Sequence, residues 1–593
     1  RVGNMAGVAL AAGIVEHQYF LTEKKLAFDA SLTTLRDPDN NFYLKPDTGA
    51  FAIGGWEDGS RGFHRGLLPS SFGRELFPAN MERLELFAIP AASRLPVLNE
   101  IGIQTVINGP IPVSADGEPI MGLAPELDNF YVACGFTAGI AASGGAGLAM
   151  ANMILHGECR HGSLALDVRR FSRVHAQPRY LEDRAIEAYC AYYKIHWPGE
   201  ESHAGRGLRR SPLHHALDCA GAVFGSRAGW ERPNWFAVDG MAPEDVPSFE
   251  GKPNWFKAVG TEVKAIRERV ALIDQTSFSK FEIRGEGAEA ALQKIAANDL
   301  AGPPGKAVYT QLCNAKGGIE ADVTLIHHGA EHFYLITGSA FGVHDAGWVE
   351  KHLPSSVTIR DVTNAFATFN IVGPKARVVL QSVTDDDLSN SAFPFLGVRA
   401  IDIGHARVMA VRIGYVGELG YELYIPQEFA AHVYETLWQA GAAHGIANAG
   451  YRAIESCRLE KGYVYWSGDI SPDYTPIEAG LSFCVAFDKG EFMGRTALAA
   501  SKAAGPARRL CTFTIDGFAP LHGGEAIVRD SRVVGSTSSA GYGHHLGKTI
   551  AFGYVPAEVA GETEFTIEAF GQVYAAKRGG RCLYDAKMER LKS

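Results

Sequence analysis

The sequence predicts an α+β protein of several domains that ends in a small antiparallel β-barrel. A chain of 593 residues is too long for one hydrophobic core, because single domains usually hold about 100–200 residues. Strand-like and helix-like patterns alternate through most of the chain. From Leu510 onward only short strands are expected, with Asp530-Ser531 and Phe570-Gly571 as hairpin turns between them.

Composition changes along the chain divide it into four expected segments, which are residues 1–162, 163–220, 221–498 and 499–593. The second segment is rich in Arg and Tyr, and we interpret it as a connection between two cores. The first segment is expected to contain strands at Gln18–Thr22, Phe42–Leu44, Phe51–Ile53 and Phe130–Cys134 and helices around Met81–Phe87 and Leu148–His156. The third segment is expected to contain helices at Gly287–Asn298 and Phe429–His444. The last segment is expected to contain strands at Leu510–Ile515, Ala526–Arg529, Val533–Ser536, Glu564–Glu568 and Gln572–Ala576.

The composition excludes some classes of partner. The net charge is −10 and no dense run of Lys or Arg occurs, so small molecules are expected as partners and nucleic acid is not. Nine scattered cysteines, never spaced as Cys-x-x-Cys, indicate a reducing compartment, either bacterial cytoplasm or mitochondrial matrix. The apolar stretch Met5–Val15 is expected to be buried structure. The apolar stretch Val132–Leu155 is expected to form a turn and helix that face a cofactor, so no membrane contact is predicted.

The most informative segment runs from Val308 to Asp322. A strand carries Tyr309, Gly317-Gly318 turns the chain, and the returning strand carries Asp322 at the rim of a sheet. Four further strings follow in order, which are Gly414-Tyr-Val-Gly-Glu-Leu-Gly-Tyr-Glu-Leu-Tyr424, Ala449-Gly-Tyr-Arg-Ala-Ile-Glu-Ser-Cys-Arg-Leu-Glu-Lys-Gly462, Gly468-Asp-Ile470 and Thr475-Pro-Ile-Glu-Ala-Gly480.

From about Gly221 to the C-terminus these strings resemble the aminomethyltransferase family, which includes the T-protein of the glycine cleavage system and the folate half of dimethylglycine and sarcosine dehydrogenases. The resemblance implies a tetrahydrofolate site. It implies that Asp322 lies against the reactive folate nitrogen and that Tyr309 and Tyr415 belong to the same pocket. It also implies that Glu422 binds the pterin ring and Arg452 faces the glutamyl tail.

Each implied role is chemically reasonable. A carboxylate can accept two hydrogen bonds from the guanidine-like pterin edge, and the planar fork of Arg suits an anionic tail. A carboxylate beside the reacting amine can accept its proton or stabilise charge. Two structural alternatives stay open, because Asp322 could cap a turn and Arg452 could pair with Glu455 or Glu418.

Residues 1–215 resemble the latter half of the D-amino-acid-oxidase-like flavin enzymes, in the branch of dimethylglycine and sarcosine dehydrogenases. The strings that carry this resemblance include Glu16-His-Gln-Tyr-Phe-Leu-Thr-Glu23, Phe51-Ala-Ile-Gly-Gly-Trp-Glu57 and Asn129-Phe-Tyr-Val-Ala-Cys-Gly-Phe-Thr-Ala-Gly-Ile140. The resemblance implies FAD as cofactor, with His17 and Tyr43 beside the substrate amine. A His that titrates near pH 7 could influence the proton of that amine, although either residue could instead be purely structural.

The turn after the strand ending at Cys134 is the expected flavin contact. Gly135, Gly139 and Ile140 would bring backbone N–H groups and a helix N-terminus toward the electron-rich edge of the flavin. Small residues allow such close approach of the backbone, and tight helix packing is the alternative explanation for them. No Gly-x-Gly-x-x-Gly follows a first strand near residue 1. We therefore expect the chain to begin part-way through a flavin domain whose nucleotide-binding part is truncated, supplied by a partner or lost.

The resemblance implies a bifunctional enzyme. Flavin would oxidise an N-methyl group of dimethylglycine or sarcosine, and tetrahydrofolate would capture the one-carbon unit as 5,10-methylenetetrahydrofolate. The sequence does not choose between the two substrates, nor between oxygen and an electron-transfer flavoprotein as electron acceptor. Two alternatives stay open: a folate-only aminomethyltransferase, and a non-catalytic regulatory protein such as the pyruvate dehydrogenase phosphatase regulatory subunit, which is similar in architecture.

Overall fold

The computed structural model describes residues 2–24, 32–63, 68–69, 71–157, 164–238 and 240–593. The chain forms two compact units, which are residues 1–208 and 209–593. The first unit contains helices α1 (Val2–Met5), α2 (Met81–Arg94), α3 (Gly139–His156) and α4 (Pro178–Cys190), with strands β1 (Ala12–Thr22), β2 (Leu35–Asp37), β3 (Phe42–Asp47), β4 (Ala50–Gly55), β5 (Ile103–Ser114), β6 (Ile120–Leu123) and β7 (Tyr131–Cys134).

The first unit is built around a five-stranded sheet in the order β2-β3-β4-β1-β5, with β6 and β7 as a separate pair. Alternate side chains of a strand point to opposite faces, and each face here receives one helix. Phe20, Phe42 and Ile53 pack against α2 on one face. Val15 and Trp56 pack against Tyr189 of α4 on the other.

Helix α2 begins where its sequence supplies a cap. The side chain of Asn80 accepts a hydrogen bond of 3.0 Å from the backbone N–H of Arg83, which satisfies one of the unpaired amides of the first turn. Leu84, Phe87 and Ala91 then form the buried stripe of the helix, at the spacing that keeps them on one face. The first segment has the strands and helices expected from its sequence, and it also contains α1, β2, β5 and β6, which were not expected.

The expected connection, residues 163–220, includes helix α4, and this helix packs on β1 and β5. The amphipathic pattern of Tyr180, Leu181, Ala185 and Tyr189 explains its docking, because all four side chains are buried. Most of that segment is thus an integral part of the first unit.

The second unit begins at Arg209. Its helices are α5 (His214–Cys219), α6 (Phe256–Glu268), α7 (Ala288–Ile295), α8 (Gly342–Glu350), α9 (Ala376–Gln381), α10 (Ala430–Gly441), α11 (Tyr451–Lys461) and α12 (Arg495–Ala504). Its strands before the barrel are β8 (Ala222–Arg227), β9 (Trp230–Phe236), β10 (Val270–Asp274), β11 (Ser279–Gly285), β12 (Lys306–Cys313), β13 (Ile319–Gly329), β14 (His332–Thr337), β15 (Val357–Asp361), β16 (Phe366–Val372), β17 (Val398–Ile403), β18 (Ala406–Val411), β19 (Gly420–Pro426) and β20 (Ile446–Asn448).

Two sheets of the second unit carry Tyr309, Asp322 and Glu422, whereas Tyr415 lies in the loop before β19 and Arg452 lies on α11. The six-stranded sheet runs β17-β18-β19-β16-β10-β20, and the five-stranded sheet runs β12-β13-β14-β11-β15. In the second of these, Leu312, Ala321 and Val323 point into a hydrophobic core. Because strand side chains alternate, Gln311 and Asp322 point to the opposite face.

The predicted turn between β12 and β13 is present. Gly317 has φ +83°, and a Cβ at Gly318 would collide with the carbonyl oxygen of Pro472. Only glycine can occupy such a close approach of two backbones. This turn fixes the register that sets Gln311 opposite Asp322.

The chain ends in a closed antiparallel barrel, as the sequence predicts. Both expected turns have left-handed backbone, with φ of 48° and 60° at Asp530 and Ser531 and of 49° and 71° at Phe570 and Gly571. The barrel also contains a strand that was not expected, because Lys548–Pro556 is an almost continuously buried run without alternation. The strands are β21 (Arg508–Asp516), β22 (Ala526–Arg529), β23 (Arg532–Gly543), β24 (Lys548–Pro556), β25 (Glu564–Ala569) and β26 (Gln572–Gly579), in the order β21-β24-β23-β22-β25-β26.

Among the described residues, we find no helix that is long and apolar enough to span a membrane.

Candidate active sites

His17 and Tyr43 lie on the same face of the five-stranded sheet. Tyr19 and Tyr43 are both paired with Gly54 of the intervening strand β4, and His17 precedes Tyr19 by two positions on β1. The ring of Tyr43 covers Gly54 so closely that a Cβ at this glycine would collide with it. The structure therefore brings together the two residues that the sequence predicted for amine chemistry.

The His17 ring is held from two sides. Its Nδ1 lies 2.9 Å from the Tyr189 hydroxyl, and the ring stacks on Trp56 with 4.9 Å between centroids. Burial and the charge of Arg83 lower the pKa of His17 to about 4. The sequence predicts titration near pH 7, and the buried position explains the difference, because burial disfavours the charged imidazolium.

The hydroxyl of Tyr43 is also shielded from solvent. Burial raises the pKa of its hydroxyl, and the neighbouring Tyr193, Tyr19 and Glu57 add to the effect. Tyr43 is therefore a neutral hydroxyl at any physiological pH, able to donate or accept a hydrogen bond.

Four residues that support His17 were not predicted from the sequence. Trp56 and Glu57 end the string Phe51–Glu57, which contributed only to the family resemblance. Arg83 lies on α2 and Tyr189 on α4, far from His17 in the chain. The sequence offered one signal for these residues. Arg83 lies on the apolar side of an amphipathic helix, and because Arg is seldom buried without a partner, this position indicates a buried acidic partner.

The expected flavin turn is present after β7. Gly135 has φ +74°, and α3 begins at Gly139 with no side chain capping its first turn. The Ile140 side chain is 97% exposed. A helix N-terminus without a cap and flanked by small residues fits an electron-rich cofactor edge, so these residues are compatible with the flavin contact that the sequence predicts.

In the second unit, Tyr309, Gln311 and Asp322 form one cluster. Gln311 Nε2 donates to Asp322 Oδ1 over 2.8 Å, and the neighbouring Tyr309 side chain also lowers the pKa of the carboxyl. Burial raises the pKa of Asp322 to about 6, against the opposing effect of these two side chains. Asp322 is thus a carboxyl that can exchange a proton close to neutral pH.

Two charged residues beyond the sequence prediction act on Asp322. The carboxylate of Asp345 raises the pKa of Asp322, and the guanidinium of Arg581 lowers it. Asp345 is itself fixed, since it accepts bonds from Thr337 Oγ1 at 2.5 Å and from His344 Nδ1 at 2.9 Å. Arg581 follows the last barrel strand, where no motif pointed to it.

Tyr415 and Glu422 extend the site toward the six-stranded sheet. Tyr415 is close enough to Tyr309 and Asp322 for their charges to affect one another, and its hydroxyl donates to the carbonyl of Val464. Glu422 lies opposite Asn370, and its Oε2 accepts a bond of 2.8 Å from Tyr424. Burial raises the pKa of Glu422.

Arg452 contacts an acidic and an aromatic side chain that the sequence did not indicate. Its Nη2 donates to Asp245 Oδ2 over 2.6 Å, and its guanidinium stacks over Trp255 at 3.5 Å from the ring centroid. Glu455 and Glu418, the alternative partners that the sequence left open, bond Arg458 and Arg590. The arginine whose charge acts on Asp322 is Arg581.

The site has the polar groups that a folate would need. In the part of the chain that the structure describes, Gln311 Oε1, Asn370 Oδ1 and Thr368 Oγ1 are buried and have no hydrogen-bond partner. Buried acceptors of this kind are costly unless they bind a donor. The amino and N–H groups of a pterin are donors, so the residues present fit tetrahydrofolate.

Comparison with protein families matches both units. Residues 2–153 match the FAD dependent oxidoreductase domain, and residues 156–211 match the FAD dependent oxidoreductase central domain. Residues 213–489 match the GCVT N-terminal domain, and residues 508–585 match the glycine cleavage T-protein C-terminal barrel domain.

Human mitochondrial sarcosine dehydrogenase is 34% identical over 648 residues, which cover 100% of this chain and 70% of that protein. Human mitochondrial dimethylglycine dehydrogenase is 35% identical, over 97% of this chain and 68% of that protein. The chain belongs to the family of sarcosine and dimethylglycine dehydrogenases.

The fold of the second unit agrees with this family. The crystal structure of the glycine cleavage system aminomethyltransferase T from Bartonella henselae superposes with a TM-score of 0.55 and 24% identity, over 64% of this chain and 99% of that one. This family member therefore has the oxidoreductase and aminomethyltransferase domains predicted from its sequence motifs.

Proposed function

We propose that this protein is a flavin- and folate-dependent demethylase that acts on an N-methylated glycine, either dimethylglycine or sarcosine. The observation that carries the proposal is the cluster around Asp322. It combines a carboxyl whose pKa is about 6 with buried polar atoms that lack a partner among the described residues. That combination suits a folate amine that must lose a proton during one-carbon transfer.

In the first unit, the chain's own residues would prepare the amine. His17 is neutral because its pKa is about 4, so its unprotonated ring nitrogen can accept a hydrogen bond from a substrate ammonium. Tyr43, a neutral hydroxyl on the same face, can orient the substrate by a hydrogen bond. Bound FAD would supply the acceptor for the hydride that leaves the N-methyl carbon, with Gly135, Gly139 and Ile140 against its edge.

In the second unit, Asp322 would take the proton from the reacting nitrogen, with Tyr309 and Gln311 holding the carboxylate in place. Glu422 would accept from the pterin edge beside Tyr415. Tetrahydrofolate would supply the nucleophilic nitrogen and leave as 5,10-methylenetetrahydrofolate. A role for Arg452 at the glutamyl tail stays a prediction, and it would require the guanidinium to exchange Asp245 for the tail carboxylate.

We infer further that a reducing compartment houses the reaction, either mitochondrial matrix or bacterial cytoplasm. Oxygen and an electron-transfer flavoprotein are the two candidate electron acceptors. A folate-only methyltransferase and a regulatory protein of the same architecture are the competing functions, and they differ from the demethylase in measurable ways.

The test separates amine oxidation from folate-dependent capture. The protein is incubated with FAD, an artificial electron acceptor and either N-methylated glycine, with and without tetrahydrofolate, and both formaldehyde and methylenetetrahydrofolate are measured. Asp322→Ala should leave oxidation intact and divert the product to formaldehyde. Loss of both activities in this variant would contradict separate sites. Folate binding without any oxidation would establish the folate-only function, and absence of both would favour the regulatory one.

A further inference from the structure

Three buried side chains form a hydrogen-bonded chain that ends on the half-buried His17. Arg83 donates from Nε to Glu57 Oε1 over 3.1 Å, and its Nη2 donates to the same oxygen. The Tyr189 hydroxyl lies 2.9 Å from the other carboxylate oxygen of Glu57. His17 Nδ1 then lies 2.9 Å from the Tyr189 hydroxyl.

The direction of this chain follows from counting hydrogens. The Tyr189 hydroxyl has one hydrogen, and it faces two acceptors, Glu57 Oε2 at 2.9 Å and the carbonyl of Gly55 at 3.3 Å. If it donated to His17 instead, its lone pairs would face the negatively charged oxygen of Glu57. The hydroxyl therefore donates toward Glu57 and accepts from His17, which requires a hydrogen on Nδ1.

We propose that Glu57 and Tyr189 are positioning residues that hold His17 in the Nδ1–H tautomer, so that the lone pair on Nε2 can accept a hydrogen bond from the substrate amine. This inference rests on the proposed function of the first unit. The roles of Glu57 and Tyr189 and the position of the hydrogen on His17 Nδ1 were not indicated by the sequence.

The surroundings of His17 keep the ring neutral as well as oriented. The charged groups nearby include Arg83 from α2, Glu57 after β4 and Glu16 of β1, and Arg83 pairs with both carboxylates. The ring itself faces Trp56 and Tyr189, and neither carries a charge at neutral pH. Arg83 opposes formation of an imidazolium, in agreement with the pKa of about 4.

The tautomer can be measured directly in the intact chain. Protein labelled with 15N-histidine gives separate nitrogen resonances for the Nδ1–H, Nε2–H and protonated forms, and His17→Gln assigns the signal. We expect the Nδ1–H form of His17 to exceed the other tautomer by at least about tenfold, since hydrogen bonds to charged groups are worth roughly 1.5–3 kcal/mol. A dominant Nε2–H form would overturn the proposal.

Two variants test the route through Tyr189. Tyr189→Phe removes the acceptor, and Glu57→Gln removes the charge that directs the hydroxyl, so each should lower the tautomer ratio several-fold. Tyr192→Phe is the matched control, because Tyr192 packs on Trp56 at 4.3 Å and should leave the ratio unchanged. Since Glu57→Gln preserves volume, it keeps the test valid if Tyr189→Phe fails to fold. An unchanged ratio in the folded variants would refute the proposal.

Addition of sarcosine or dimethylglycine separates this inference from the proposed function. If both hold, the ligand moves the Nε2 resonance of His17 in the wild type, and the midpoint pH of this response shifts in Tyr189→Phe but not in Tyr192→Phe. A correct tautomer with no response to either amine would contradict the substrate class while leaving the positioning role supported. A response to the amine with the wrong tautomer would contradict only the positioning role.

Discussion

Gln311 and Asp322 face each other across β12 and β13, and the Gln311 amide donates to the Asp322 carboxylate over 2.8 Å. This bond uses the nitrogen of the Gln311 side chain. Its oxygen is buried without a partner among the described residues. The pair therefore positions the Asp322 carboxyl for proton transfer. It also leaves Gln311 Oε1 able to accept a hydrogen bond from a ligand.

Asp322→Asn should stabilise the protein at alkaline pH. The pKa of Asp322 is about 6 in the fold against an ordinary 3.8, so the folded state binds its proton more tightly than the unfolded chain. Its contribution to stability therefore falls as pH rises from about 4 to 6 and stays low above that range. We expect the variant to gain about 1–2 kcal/mol at pH 8 and little at pH 4, as measured by urea unfolding. A variant less stable than wild type at pH 8 would contradict the buried, proton-binding state of Asp322.

Glu422→Gln should weaken folate binding without disturbing the fold. The change removes the negative charge that would accept from the pterin edge, and such a bond is worth roughly 1.5–3 kcal/mol, or about 10–100-fold in Kd. Anaerobic calorimetry with tetrahydrofolate measures this change. Glu428→Gln is the control, since Glu428 is exposed just beyond the same strand. Equal affinities for the two variants would exclude Glu422 from the pterin site.

Arg452 and Asp245 should be energetically coupled. Because their side chains are only 19% and 36% exposed, a double-mutant cycle of Arg452→Met and Asp245→Asn should give a coupling of about 0.5–1.5 kcal/mol in the free energy of unfolding. A cycle is needed because Asp245 also accepts a bond from Trp235.

The pair Arg407 and Asp402, which is 61% and 64% exposed, serves as the control and should show about zero coupling. If Arg452 instead exchanges Asp245 for the folate tail, the coupling should fall when polyglutamylated folate is present. Coupling that folate leaves unchanged would argue for a purely structural arginine.

Gly54→Ala should displace Tyr43 and destabilise the first unit. A Cβ at this position would overlap the Tyr43 ring, and such overpacking costs about 1–3 kcal/mol. Thermal unfolding and the near-ultraviolet circular dichroism of the tyrosines report both effects. Gly73→Ala is the control, because a Cβ added at Gly73 would meet no heavy atom within 4 Å. A neutral Gly54→Ala would mean that Tyr43 is not held against the sheet.

Local sequence patterns predicted most of this fold. Strands β1, β3 and β4 of the first sheet, the turn at Gly317-Gly318 and both barrel hairpins follow from alternation and turn chemistry, which act over a few residues. Strands β2 and β5 of that sheet were not predicted. Strand β24 was not predicted, because a continuously buried run has no alternation to detect.

The sites were predictable to a different degree. Tyr309, Asp322 and Tyr415 lie close together, as their ordered motifs imply. Tyr189 and Arg581 could not be found in this way, because they reach His17 and Asp322 only through packing between elements distant in the chain. The pKa of His17 could not be predicted from the sequence either, because it depends on burial and on Arg83.

The docking of α4 changes where this chain can be divided. A fragment that ends at residue 162 would keep His17 and Glu57 but lose Tyr189, together with the apolar face that covers Val15 and Trp56. The carboxylate of Glu57 would lose its hydroxyl donor, and the hydrogen of the neutral His17 ring would no longer be directed to Nδ1. For anyone transplanting this five-stranded sheet into another protein, the smallest transferable piece therefore extends at least to Cys190.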